Sequence, residues 1–269
     1  MTDPTTSGFI EESARIWDAK AESWDDFVGP AGNDFHRILV APAMMRLLAL
    51  TPGERVLDVA CGNGQFAREM ARVAGHVDAF DVSPRFIERA RAHTAAAGIE
   101  NIDYSVRDAT NLAGLLEMGE GRFDAAASCQ ALMDIPVLEP LFSALRRLLR
   151  PAGRFAFSIG HPCFNQAAAS MSVEQEEVDG RPVEVYSMRV FGYLHTEPAM
   201  AMGIRGETQP HWDFSRSLTD LLTPAFNAGL VMDGVEEPSY PPSDEPRHPF
   251  SWRNYQHIPP VLIVRLRRP

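Results

Sequence analysis

A chain of 269 residues with 45% hydrophobic and 23% charged residues is long enough to bury a substantial core and too apolar for disorder. Its formal net charge of −11 offers no broad positive surface, which weighs against nucleic acid or an anionic membrane as partner and favours a small-molecule substrate. Three cysteines, Cys61, Cys129 and Cys163, lack the paired spacing of a zinc site or a disulfide framework, and no run approaches the ~18 apolar residues of a membrane span. With a polar, acidic beginning and no basic-then-apolar leader, the expectation is a cytoplasmic protein with no dedicated metal site.

The first elements are helical. Ile10, Ala14, Trp17 and Ala21 recur at helical spacing, and after a Gly/Pro/Asn break an apolar stretch runs from Phe35 to Leu50. The pattern then changes to short apolar runs alternating with helical periods. Strands are predicted over 55–60, 76–80, 102–106, 123–128 and 154–159, with helices over 65–74, 84–97 and 137–149 and a short one after the third strand. Such alternation predicts a doubly wound α/β fold with helices on both faces of a parallel sheet. It stops after Ile159 for about fifty residues, far longer than the usual connection of about 2 to 6. Met, Phe, Tyr, His and Trp in that stretch suit a folded lid or a dimerisation element, so a homodimer is compatible with it. A helix over 217–228 closed by Gly229, then strands over 230–237 and 260–267, complete the chain.

The residues that carry chemistry follow the strands. In Asp58-Val59-Ala60-Cys61-Gly62-Asn63-Gly64, the two glycines permit a tight strand-to-helix turn and close approach of a ligand. Alone, Gly62-x-Gly64-x-x-Ala67 also fits a dinucleotide site. Asp58 separates the two, because a carboxylate there repels a pyrophosphate and attracts a ligand bearing a sulfonium and an amino group. Asp81 closes the second strand at the ~20-residue separation from which an acid reaches a ribose diol. Ser83 before Pro84 suits a helix N-cap. Asp108 beyond the third strand is placed to accept from an adenine amino group.

Asp58 to Gly64, Asp81-Val82-Ser83, Arg107-Asp108-Ala109 and the turn Arg150-Pro151-Ala152-Gly153-Arg154 resemble the successive motifs of class I S-adenosylmethionine-dependent methyltransferases. Ile16-Trp17-Asp18 and Ser23-Trp24-Asp25 resemble the N-terminal cap helix of the methyltransferases of ubiquinone and menaquinone biosynthesis. The resemblance covers roughly residues 10–160 and, more weakly, the last two strands. It implies a Rossmann-like, seven-stranded sheet in a single domain. That domain comprises cap helices over 1–50, a cofactor-binding core over 51–160, the insertion over 161–215, and a C-terminal helix with the final two strands over 216–269.

It also implies S-adenosylmethionine as cofactor and S-adenosylhomocysteine as product. The methionine end would lie near Asp58, Ala60, Gly62 and Gly64, the ribose at Asp81, the adenine against Val82, Asp108 and Ala109, and Gln130 on the sulfonium side. Gln65 departs from the small residue frequent after Gly64. Ser128-Cys129-Gln130-Ala131-Leu132 departs from the Asn/Asp-Pro-Pro-Tyr type of motif, which argues against methylation of nucleic-acid bases.

The acceptor is an O, N or C of a small, aromatic or secondary-metabolic molecule on this reading. Where an acceptor proton must leave, a neutral histidine can take it, and His161 directly after the fifth strand is the first candidate for a base. His36, His195 and His211 follow as weaker ones. Trp17, Trp24, Phe35, His36, Phe164, Tyr193 and Trp212 are expected to bind substrate. The alternatives are an NAD(P)-dependent oxidoreductase and a non-catalytic nucleoside-binding protein that kept the fold.

Overall fold

The computed structural model describes residues 4–203, 207, 209–242 and 247–269. Helix α1 (Pro4–Val28) and helix α2 (Ala41–Leu48) precede the first strand, with one turn of π-helix at Phe35–Val40 leading into α2. The alternating part follows as β1 (Arg55–Val59), α3 (Gln65–Ala71), β2 (His76–Asp81), α4 (Pro84–Ala96), β3 (Ile102–Val106), α5 (Leu112–Leu116), β4 (Phe123–Cys129), α6 (Glu139–Leu148) and β5 (Leu149–Gly160). Ser83 caps α4 as expected, its Oγ accepting from the Phe86 amide at 3.1 Å. Strand β5 begins five residues earlier than its apolar run suggests. Ala152 there adopts φ 61, and the ladder between β4 and β5 shifts between Phe123 and Ala125 to absorb the turn.

The stretch over 161–215 is folded as two hairpins. β6 (Ala169–Val178) pairs with β7 (Arg181–Val190), and Asp179 and Gly180, at φ 53 and 74, make the two-residue loop that suits the twist of a hairpin. β8 (Ala199–Ala201) pairs with β9 (His211–Asp213). Positions 204–206 and 208 of the insertion lie outside the described residues. Helix α7 (Leu218–Asn227), capped by Ser217, then leads through Gly229 to β10 (Val231–Glu236) and, after a loop, to β11 (Val261–Arg267).

The central sheet has seven strands in the order β10-β11-β5-β4-β1-β2-β3. β1 pairs in parallel with β2 and β4, β2 with β3, and β4 with β5, while β11 is antiparallel to both neighbours. Because side chains alternate across a strand, each face has its own core. One face packs Leu57, Phe80, Phe155, Phe157 and Val264 under α5, α6 and α7. The other packs Val56, Ala79, Ala125, Ala127 and Ala156 against Met44, Leu48, Phe66 and Met70 of α2 and α3. The alanines of this second face let its helices approach the sheet closely. The chain winds outward from β1 to β3 and then returns to β4, so the carboxyl ends of β1 and β4 flank the crevice in which open α/β sheets bind ligands. Among the described residues no helix is long and apolar enough to cross a membrane.

Candidate functional site

At that crevice lies a cavity of about 1050 Å³, walled by the strand ends, the cap helix and the insertion. Asp58 lines it from β1 and is only 1% exposed. Neither of its carboxylate oxygens has a hydrogen bond of ordinary geometry, and the Ala67 amide is the backbone donor that favours its charged form. Burial, and then the neighbouring Asp81, push its carboxyl up to about 8. A buried carboxylate left unpaired is costly, and a cationic or donor-bearing guest relieves that cost. Asp81, at the end of β2, is held differently: its Oδ2 accepts from the Gly62 amide and its Oδ1 from the Ser83 amide, both at 2.9 Å. Gly62 sits at φ 52, where only a glycine turns the chain without strain. Asp108 folds back on the Thr110 amide and hydroxyl at 2.7 Å, which fixes the loop after β3.

Gln130, just past β4, adopts φ 53 and is pinned by its amide to Ser158 Oγ at 3.0 Å, while its own side-chain Nε2 is buried without a partner. Two unpaired polar groups of opposite character, Asp58 and Gln130, therefore line one cavity.

The cap helix is latched to this apparatus by two of its acids. Asp25, 3% exposed, accepts from Asn63 Nδ2 at 2.7 Å, from Arg89 at 2.6 Å and from His93 at 2.9 Å. Asp18 accepts from the Ser83 hydroxyl at 2.7 Å and from the Arg85 amide at 3.1 Å. The glycine loop and the start of α4 thus both depend on α1.

On the side facing the cap and insertion, a second polar cluster is built. Lys20 of α1, 1% exposed, is ion-paired with Glu207 and donates to His211 Nδ1 at 2.6 Å. An ammonium has only donors, so Nδ1 accepts and the ring proton sits on Nε2, which lies 3.5 Å from Asp134 Oδ1. Burial, and then the Lys20 cation, pull His211 down to about 4, which keeps the ring neutral. Asp134 Oδ1 is itself buried with no hydrogen-bond partner. Burial, then the nearby Asp213, push the Asp134 carboxyl well above the carboxylate range, and Lys20 acts against them. Asp134, His211 and Asp213 line the cavity beside Trp17, whose ring lies 4.6 Å from that of His211.

A family model described as a methyltransferase domain matches residues 56–153. The S-adenosylmethionine-dependent methyltransferase from Mesorhizobium loti is 26% identical and superposes with a TM-score of 0.62 over 84% of this chain and 96% of its own. The match to a methyltransferase domain covers about a third of the chain, from β1 to the start of β5. The ubiquinone biosynthesis O-methyltransferase of Xanthomonas axonopodis pv. citri is 31% identical over 158 residues, 58% of this chain and 64% of the relative. The chain thus spans just under two thirds of the length of the curated relatives it matches. The [4+2]-cyclase SpnF shares the fold at 18% identity, with a TM-score of 0.62 over 97% of this chain and 96% of its own. One scaffold therefore carries different chemistries, and function has to be argued from the site.

The structure brings Asp58, Ala60, Gly62, Asp81, Val82, Asp108, Ala109 and Gln130 together on the cavity wall. Gly64 is not on that wall. It serves packing, since a Cβ there would meet the Tyr104 hydroxyl and Ala90. Of the residues expected to bind substrate, Trp17, Trp24, Phe35, His36 and Phe164 line the cavity, and His36 is fixed between Glu69 at 3.0 Å and Cys129 at 3.6 Å.

Tyr193 and Trp212 lie off the wall. The Tyr193 hydroxyl accepts from the Leu218 amide at the start of α7, and Trp212 donates to Glu12 and packs on Phe9. His161 is likewise turned away. Its Nε2 pairs with Glu237 at 2.7 Å, its Nδ1 accepts from the Cys163 amide at 3.1 Å, and it stacks on Phe164. His76, Asp78 and Asp103 come together at the opposite ends of the strands, where Arg55 and Arg122 already occupy Asp78.

Proposed function

We propose that the chain transfers the methyl group of S-adenosylmethionine to a hydroxyl oxygen of a small molecule enclosed in the cavity. The observation that carries this reading is that one cavity holds two carboxylates with buried oxygens that accept no hydrogen bond, Asp58 on the core side and Asp134, beside His211 Nε2–H, on the cap side. The first suits a cationic cofactor, and the second an acceptor that must lose a proton. A pyrophosphate beside Asp58 would be repelled, which disfavours a nicotinamide cofactor.

On this proposal Asp58 and the Ala60 to Gly62 turn hold the amino-acid end of the cofactor, and Asp81 receives the ribose hydroxyls. Val82, Asp108 and Ala109 hold the base, and Gln130 Nε2 lies towards the sulfur. Bound S-adenosylmethionine supplies an electrophilic methyl group on a cationic sulfur. The chain's own work is to align the acceptor, exclude water and receive its proton. Asp134 receives that proton, because its raised basicity matches the task better than an ordinary aspartate does. The His211 Nε2–H and the Lys20 cation behind it steady the carboxylate. Trp17, Phe35 and Phe164 supply the dry wall, and β8 and β9 of the insertion act as its lid. The relatives named as O-methyltransferases support oxygen as the acceptor atom.

Calorimetry with S-adenosylmethionine, S-adenosylhomocysteine, NAD and NADP tests the cofactor. Selective binding of the two sulfur nucleosides, weakened about tenfold or more by Asp81→Ala, is expected. Binding of the nicotinamides alone overturns the proposal. A panel of phenols, catechols, amines and thiols, read by S-adenosylhomocysteine release, tests the acceptor. Turnover confined to amines refutes the hydroxyl assignment.

A further inference from the structure

Two cysteines line the same cavity in opposite electrostatic surroundings. Cys61 lies beside the buried carboxyls of Asp58 and Asp81, and burial followed by these two acids pushes its thiol well above the ordinary range. Cys129, at the end of β4, faces a donor set instead. His36 Nδ1 lies 3.6 Å from its sulfur, and the Ser158 hydroxyl donates to the sulfur from 3.8 Å. Behind the imidazole, Glu69 Oε1 takes up Nε2 at 3.0 Å, and Gln65 Nε2 donates to the same oxygen at 3.4 Å. The His36 ring is fixed further by the edge of Phe66 at 6.1 Å.

We infer that Cys129, His36 and Glu69 form a cysteine–histidine–carboxylate site that opens into the cavity and takes soft carbon electrophiles covalently. A sulfur nucleophile, an imidazole within reach and an orienting third group are the parts from which thiol nucleophiles are built. Burial pulls the His36 ring towards its neutral form, but Cys129 and Glu69 overcome this and hold it protonated up to about 10. With Nδ1 against the sulfur and Nε2 held by Glu69, the ring is placed to receive the thiol proton. In the step itself the sulfur lone pair forms a bond to carbon as the leaving group departs with its own pair, and no further proton moves. The reaction with an enone differs only in that the displaced pair goes to the enolate, which His36 protonates. Aromatic and aliphatic neighbours, Phe35 and Trp252 among them, favour apolar electrophiles. This inference rests on the cavity and its side chains and stands whether or not the hydroxyl-acceptor reading holds.

The test is alkylation by iodoacetamide near neutral pH, with each cysteine followed by peptide mass spectrometry in wild type, Cys129→Ser, His36→Gln and Glu69→Gln, all checked for folding by circular dichroism. Cys129 is expected to react at least about tenfold faster than Cys61, to slow about tenfold or more in His36→Gln, and to slow less in Glu69→Gln. A Cys129 rate no higher than that of Cys61, or one that His36→Gln leaves unchanged, overturns the site. If His36→Gln fails to fold, the wild-type rate decides alone. A wild-type Cys129 rate at least about tenfold above that of free cysteine at the same pH supports the pair, and a rate no higher than that of free cysteine refutes it.

Discussion

The two ends of the cavity are built by different means. At the core end Asp58, Gly62, Asp81 and Asp108 each follow directly from a strand of the parallel sheet, and backbone amides hold Asp81 and Asp108 in place. At the cap end Lys20, Asp134 and His211 come from a helix, a short turn after β4 and a strand of the insertion, and they hold one another. A site fixed by backbone is rigid whatever occupies it, whereas one fixed by side chains from separate elements exists only while the cap and insertion are closed. On the proposed function, cofactor binding falls to the first end and the choice of acceptor to the second.

The largest effect that separates the two ends is expected from Asp134→Asn. It should reduce turnover by about 10² to 10³ while changing cofactor affinity by less than about twofold, measured by product release and calorimetry. The groups facing Asp134 are Lys20 from α1, Glu207, His211, Asp213 and Arg216 from the insertion and its exit, and Asp81 from β2. Because the folded carboxyl is raised, wild-type turnover should be lost as pH falls through a range higher than the ~4 of an ordinary aspartate. A loss of cofactor binding in Asp134→Asn, with no change in the pH profile, would erase the division between the ends.

Asp58→Asn is expected to act at the core end with two opposite signs. Affinity for S-adenosylmethionine should fall about tenfold, since one charge-assisted contact is lost. The ligand-free protein should gain stability, because an unpaired buried carboxylate is removed. The sign of the pH effect follows from the same group. Its folded value of about 8 stands above the 3.8 expected unfolded, so its contribution is intact below 3.8 and is lost as pH rises through about 8. Thermal melts of the ligand-free protein should therefore decline across that window in wild type and decline less in Asp58→Asn. Equal declines in the two would mean that Asp58 is solvated in solution.

Asp25→Ala breaks the latch between the ends. The Asn63, Arg89 and His93 contacts go together, at about 1 to 2 kcal/mol in denaturant unfolding, since the buried carboxylate and its charge-assisted hydrogen bonds are lost. Cofactor dissociation should speed up by several fold in stopped-flow measurements. An unchanged dissociation rate would show that the cap does not govern the core end.

The core end was legible in the sequence because its acids terminate strands whose apolar runs are local signals, and the glycine turn between them is contiguous. The cap end was not, because Lys20 and His211 are far apart in the chain and a buried lysine on a helix reads as an exposed one. Neighbouring positions on β9 make the reason concrete. Trp212 has the more suggestive side chain, yet strand alternation sends it out towards Glu12 and turns His211 into the cavity. Asp134 lies in the same post-β4 loop as Gln130, so a search of that loop for acids would have found it. The hairpins of the insertion left a clear mark only at Asp179-Gly180, a pair typical of two-residue turns.

His161 offers the smallest and most diagnostic effect. It sits at the carboxyl edge of β5, where a base would be sought, but both ring nitrogens are engaged, by Glu237 and by the Cys163 amide. Its amide also donates to the Pro260 carbonyl, tying the start of the insertion to the loop before β11. Replacing it with Gln should therefore cost about 1 to 2 kcal/mol of stability through the lost amide partner, the exposed Glu237 pair adding little. Turnover at a temperature well below unfolding should change by less than about threefold, with the pH profile unmoved. A loss comparable to that of Asp134→Asn would return the role of base to His161, and would require the insertion to rotate this ring into the cavity when the acceptor binds.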